Sequence, residues 1–268
     1  MGSGIAQVAL AHGLPVVLVD TDPASLERAR DRIGAGLRKA ADKGALALSP
    51  DDCLAGLSTG TALAATAGCE LVIEAVPEIL SVKLEVLAAL SQLSPDLVIA
   101  TNTSSLPIST LAKSVSRPER FLGVHFFNPV PVLPLVELIS HDGTDSRLVQ
   151  QVADFLVEAL GKEVVRCADR PGFVVNALLI PYLCSAISLL ESGAATAEDI
   201  DRAMVFGCSH PMGPLALSDL IGLDTVAAIA QTLADESGNP HLNPPALLRS
   251  KVANGELGRK SGRGFFEY

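Results

Sequence analysis

The sequence lacks any run of lysine and arginine to set against its formal net charge of −10. A duplex-binding surface must neutralise phosphates with clustered cations, so no nucleic-acid partner is expected. Paired cysteines are missing too: Cys53, Cys69, Cys167, Cys184 and Cys208 are odd in number, widely spaced and without a CxxC. Neither a disulfide framework nor a zinc cluster is therefore expected, and the expectation is a reducing cytoplasm with no bound metal. No basic and apolar leader opens the chain, so no secretory signal is expected. Internal repeats and low-complexity tracts are absent as well. One stretch, Pro171 to Leu190, has no charge at all and is about as long as a membrane span. Asn176, Pro181, Ser185 and Ser188 interrupt it, which favours a buried helix or a subunit interface; no membrane segment is expected.

What is present is apolar: 49% of the 268 residues, ample for a dense core. Short β-branched runs alternate with helical stretches, the pattern of a mostly parallel, doubly wound sheet covered on both faces. Expected strands are Val16 to Asp20, Leu71 to Glu74, Leu97 to Thr101, Phe121 to Phe127, Leu135 to Ile139 and Glu163 to Arg166. Expected helices include Ala24 to Lys43, Val82 to Gln92 and Ser146 to Leu160, where apolar residues recur at three and four. After Arg170-Pro171-Gly172 the β pattern stops, and helices broken by Gly and Pro follow. An α/β dinucleotide-type domain over 1–170 and an all-helical domain over 171–268 are expected.

The chain opens on Gly2-Ser3-Gly4-Ile5-Ala6-Gln7, a small-residue helix, followed by the strand Val16-Val17-Leu18-Val19-Asp20. Helix, strand and terminal acid make the second half of a Rossmann unit. The Asp20 carboxylate suits the hydroxyls of an adenosine ribose and repels a 2′-phosphate, selecting NAD over NADP; alternatively it caps the next helix. Gly2 stands where the third fingerprint glycine belongs. The strand and two glycines that precede it in a complete fingerprint are absent, which would leave two open edges in the sheet, and the expectation is a native chain extending further upstream.

His125 lies in the apolar strand Phe121-Leu122-Gly123-Val124-His125-Phe126-Phe127, near the end where doubly wound sheets bind ligands. It is either a general base or a hydrogen-bonded core residue. Glu137 interrupts the next apolar run, Leu135-Val136-Glu137-Leu138-Ile139, and a buried carboxylate there needs a partner. Pro129, Pro131 and Pro134 can turn the chain back between them, so a His-Glu pair is feasible unless Glu137 faces solvent. Asn102-Thr103-Ser104-Ser105 follows another strand end. Its hydroxyls and amides either meet a substrate oxygen or cap the helix that starts near Pro107.

Taken in order, Ala100-Thr101-Asn102-Thr103-Ser104-Ser105, His125-Phe126-Phe127-Asn128-Pro129-Val130-Pro131-Val132 and Pro171-Gly172-Phe173-Val174-Val175-Asn176 resemble the L-3-hydroxyacyl-CoA dehydrogenases. Met212-Gly213-Pro214, Asp219 to Asp224 and Gly258 to Phe265 extend the resemblance over essentially the whole chain, nearest to bacterial 3-hydroxybutyryl-CoA dehydrogenases. The resemblance implies NAD as cofactor and an acyl-CoA substrate. It implies His125 as catalytic base, Glu137 as its orienting partner, and Ser104 and Asn176 at the substrate's 3-oxygen and thioester. Glu78, Lys83 and Asn102 match positions around the nicotinamide half of NAD, and Lys43 could meet the coenzyme A 3′-phosphate or simply be solvated. A homodimer through the helical domain is also implied. Ala177 stands where an arginine is common, and Leu133-Pro134 replaces Met-Lys, which bears on acyl-chain preference. The missing glycines leave open a non-catalytic binding or structural member, and related folds act on carrier-protein thioesters or sugar acids.

Overall fold

In the computed structural model, which describes Met1 to Tyr268, the β-branched runs become short strands. They are β1 (Val16–Val19), β2 (Leu57–Gly60), β3 (Leu71–Glu74), β4 (Val98–Thr101), β5 (Phe121–Phe126), β6 (Leu135–Ser140) and β7 (Glu163–Ala168). All belong to the first of two units, Met1–Asp169 and Arg170–Tyr268. β2 gives no apolar run to recognise, since only Leu57 of Leu-Ser-Thr-Gly is buried.

β1 and β2 pair in parallel, while β3 to β7 form a separate five-stranded sheet in the order β3-β4-β5-β6-β7. β1, β2, β3 and β7 are the end strands of these two sheets. The sheet is not parallel throughout: β6 runs antiparallel to β5. A parallel return needs a crossover of a dozen or more residues, and the link 127–134 is too short, so the chain folds back as a hairpin.

Helices of this unit are α1 (Gly2–Ala11), α2 (Pro23–Ala41), α3 (Pro50–Ala55), α4 (Leu80–Leu90), α5 (Ile108–Leu111) and α6 (Ser146–Asp154), the last ending in a π turn at Phe155–Ala159. Small residues let α1 lie close to its neighbours: Ile5 and Val8 join Leu122, Val124, Val136 and Leu138 in one core. Pro23 starts α2 with its φ already helical, and Asp22 caps it by accepting from the Ala24 and Ser25 amides.

The second unit is helical: α7 (Val175–Glu191), α8 (Ala197–Cys208), α9 (Pro214–Ile221), α10 (Leu223–Ser237) and α11 (Ala246–Ala253). Leu183, Ile187, Leu215, Val226 and Leu248 are fully buried in its core. The buried Asp219 accepts from the Phe265 and Phe266 amides and the Tyr268 hydroxyl, which ties the C-terminal segment down. Gly264 is required there, because a Cβ would sit 1.9 Å from Asp219 Oδ1. The uncharged stretch noted in the sequence becomes α7, with Ile180, Leu183 and Ile187 turned inward. No single helix is long and apolar enough to cross a membrane; α9 and α10 pass that test by length and composition only as a pair, bent by 97°.

Candidate active site

The β5–β6 hairpin brings His125 and Glu137 side by side. Their backbones are direct partners in the antiparallel ladder, where facing side chains share one face about 5 Å apart. Glu137 Oε2 lies 2.8 Å from His125 Nδ1, and neither residue is open to solvent, at 0% and 4% exposure. Burial removes the solvent-face alternative for Glu137. The ring of Phe127 packs 4.5 Å from the imidazole centroid. A carboxylate on Nδ1 makes that nitrogen the N–H donor and leaves the Nε2 lone pair to take a proton. It also stabilises the imidazolium that results.

A second polar network covers the carboxyl ends of β3 and β4. Asn102 Oδ1 accepts from the Phe126 amide at 2.8 Å, which locks the end of β4 to the strand carrying His125. Glu78 Oε1 accepts from the Thr103 hydroxyl at 2.5 Å, from the Ser104 and Ser105 amides at 2.8 and 3.1 Å, and from the Ser105 hydroxyl. The segment bearing Ser104 is thus wrapped around one carboxylate. It does not cap α5: the amides of Ile108 and Ser109 donate to Asp169 instead.

Behind Glu78, the Lys83 ammonium lies 3.3 Å from its other oxygen and 2.9 Å from Glu74 Oε1. Lys83 is 1% exposed, so its charge is engaged by these two acids. Glu74 also accepts from the Thr101 hydroxyl at 2.7 Å and the Val76 amide at 2.7 Å. Glu74 escaped notice in the sequence, although it ends the apolar run Leu71-Val72-Ile73 in the way that Glu137 interrupts its own.

Burial works to raise the Glu78 pKa, but the Thr103 hydroxyl and the Lys83 ammonium together hold it below its ordinary 4.5. A depressed carboxylate contributes stability that is complete above its unfolded pKa and lost as pH falls through the folded one. Glu78→Gln is therefore expected to flatten the acid side of the stability curve, read by urea unfolding across about pH 3 to 7. An acid limb identical to that of the unsubstituted protein would contradict the clamp.

Asp20, just past β1, is exposed, and one of its oxygens accepts from the Asp22 amide. Since Asp22 is the cap of α2, Asp20 does not serve as one. Gly2 begins α1, whose first turn has no side-chain cap, leaving backbone N–H groups of the kind that meet phosphates. Lys43 is exposed beyond the end of α2 and stands apart from these groups. Asn176 belongs to the second unit, buried in the first turn of α7.

Models of two domain families match the chain: 3-hydroxyacyl-CoA dehydrogenase, NAD binding domain, over residues 1–170, and 3-hydroxyacyl-CoA dehydrogenase, C-terminal domain, over 172–268. A 3-hydroxybutyryl-CoA dehydrogenase of Mycobacterium tuberculosis is 49% identical over all of this chain and 95% of its own length. Human mitochondrial hydroxyacyl-coenzyme A dehydrogenase is 43% identical over 100% of this chain and 88% of its own length. The crystal structure of (S)-3-hydroxybutyryl-CoA dehydrogenase from Ralstonia eutropha superposes with a TM-score of 0.95 at 40% identity, covering 100% of this chain and 95% of that one. With both halves matched and relatives aligned over its full length, the chain belongs to the 3-hydroxyacyl-CoA dehydrogenase family.

Proposed function

We propose that the protein interconverts an L-3-hydroxyacyl-CoA and its 3-ketoacyl-CoA with NAD, acting on short chains such as 3-hydroxybutyryl-CoA. The observation that carries this is the buried His125–Glu137 contact at 2.8 Å, an imidazole oriented by a carboxylate inside a domain matched as NAD-binding. The exposed Asp20 carboxylate and the uncapped start of α1 suit an adenosine ribose and a pyrophosphate. NAD, when bound, supplies the hydride acceptor of the oxidation and, once reduced, the donor of the reverse reaction.

In the oxidation, His125 Nε2 takes the 3-hydroxyl proton while Glu137 holds Nδ1–H and offsets the positive charge on the ring. In reduction the same nitrogen returns the proton. Ser104 and Asn176 bind the 3-oxygen and the thioester region, and Lys43 meets the coenzyme A 3′-phosphate. Glu78 and Asn102 would help hold the nicotinamide half of NAD, and Lys83 would contribute by fixing Glu78.

The test is NADH oxidation with acetoacetyl-CoA, compared with NADPH and with longer 3-ketoacyl-CoA substrates. Rapid turnover with NADH and the short substrate is expected, and no turnover with any 3-ketoacyl thioester would refute the proposal. Asp20→Ala is expected to relax cofactor choice so that NADPH becomes a usable donor. Unchanged discrimination in that variant would mean that another group reads the ribose. A homodimer formed through the helical unit completes the proposal, supported by Leu178, Phe206 and Leu220 lying exposed on it at 72%, 78% and 48%. Five free cysteines agree with a cytoplasmic setting.

A further inference from the structure

His125 and Glu137 sit close to the turn end of their hairpin: one more rung, Phe126 with Val136, and the ladder stops. Ladder ends fray unless something beyond them is held. The link from 127 to 134 is poorly held by burial, because Val132 and Leu133 are 72% and 38% exposed. Its buried residue is Val130, at 2%, which packs in the same core as Ile5 and Val8 of α1. Gly4 of α1 comes so close that a Cβ there would lie 3.2 Å from the Val130 side chain.

Lys162, immediately before β7, reaches into this link. Its ammonium donates to the Val130 carbonyl at 2.6 Å and to the Leu133 carbonyl at 2.9 Å, and the next residue, Glu163, donates its amide to Pro134. The residue is 7% exposed, and burial depresses its pKa. A lysine ordinarily keeps its ammonium in water and its side chain mobile. Here the ammonium is withdrawn from water against neutral carbonyls, a costly arrangement, and what it fixes is the turn closing the His125–Glu137 hairpin.

We infer that Lys162 is a positioning residue for the reaction, stapling the β5–β6 turn so that the end of the ladder bearing His125 and Glu137 holds one geometry against α1. It acts through that pair and touches no reacting atom. The inference rests on the assignment of His125 as base, and the two are separable, since His125→Gln tests the base alone.

The experiment compares Lys162→Met, Lys162→Gln and Lys162→Arg, with kcat and KM expressed per folded enzyme from circular dichroism and unfolding curves. Misplacement of a catalytic group by about 1 Å costs as much as 10²-fold, so Lys162→Met is expected to lower kcat by about 10- to 100-fold. Alignment matters chiefly in the transition state, so kcat/KM falls by the same factor and KM stays within about twofold. Lys162→Arg keeps the donors and the charge and is expected to retain at least about a third of turnover, whereas Lys162→Gln falls below about a tenth. A residue needed only for folding would lower stability and leave kcat per folded molecule unchanged; that result for Met or Gln overturns the inference. Should the Met variant not fold, the Gln and Arg pair decides, and equal turnover in both overturns it as well. If Lys162→Met is fully active while His125→Gln is dead, the staple fails and the base stands.

Discussion

Replacing His125 by glutamine is expected to lower kcat by about 10²- to 10⁴-fold, the usual worth of a general base, while NADH binding stays intact. Glutamine preserves much of the ring's bulk and can hydrogen-bond the Glu137 carboxylate, so the hairpin keeps its packing. What it cannot do is accept a proton from an alcohol. The site is 4% exposed at His125, which leaves little room for water to act as a substitute base. Nucleotide binding is expected to survive because Asp20 and the start of α1 lie on other elements. Stopped-flow hydride transfer together with NADH fluorescence titration separates the two properties. Turnover within a few-fold of normal, with the nucleotide still bound, would remove His125 from the mechanism and with it the observation on which the proposed activity stands.

The buried pairing of Glu137 with His125 was legible in the sequence for a reason that can be stated. Glu137 is a charge inside an apolar strand pattern, where charge is costly, and cost implies a partner. The carboxyl-terminal location of the polar groups followed from the alternating strand and helix pattern. Less accessible was whatever depends on pairing between distant segments. The antiparallel sense of β6 is set by a short link that a strand list does not weigh, although three prolines within it already signalled a turn. β2 was invisible because a strand on the edge of a two-stranded sheet needs little apolar surface. The segment Asn102 to Ser105 was read as either a substrate group or a helix cap, and Asp169, about sixty residues away in the chain, removes the second reading by taking the cap. Lys162 carried no signal at all, since a lysine following a glycine reads as an ordinary solvated turn.

The largest loss of stability is expected from Lys83→Met. Its ammonium is the cation between two acids, one of them Glu74 with a fully buried side chain. Methionine fills similar volume, so packing changes little, and the effect isolates the charge. Breaking a buried ion pair by removing one partner typically costs about 3 to 5 kcal/mol, because the surviving charge remains in a medium that solvates it poorly. For a unit of this size that corresponds to a melting temperature lower by about 10 °C. Turnover falls too, since Glu78 loses the cation behind it and the segment 103–105 is wound around Glu78. Mild acid offers an internal control: Lys83 helps hold the Glu78 carboxyl below its ordinary pKa, so the part of the gap that comes through Glu78 narrows as pH falls through that carboxyl's range. A melting temperature lowered by less than about 3 °C would show that the buried acids do not depend on Lys83, and a gap constant across pH would show that Glu78 does not. With the expected result, the carboxylate that holds residues 103–105 is shown to depend on one buried cation, and Ser104 owes its place to a lysine that acts on it through Glu78.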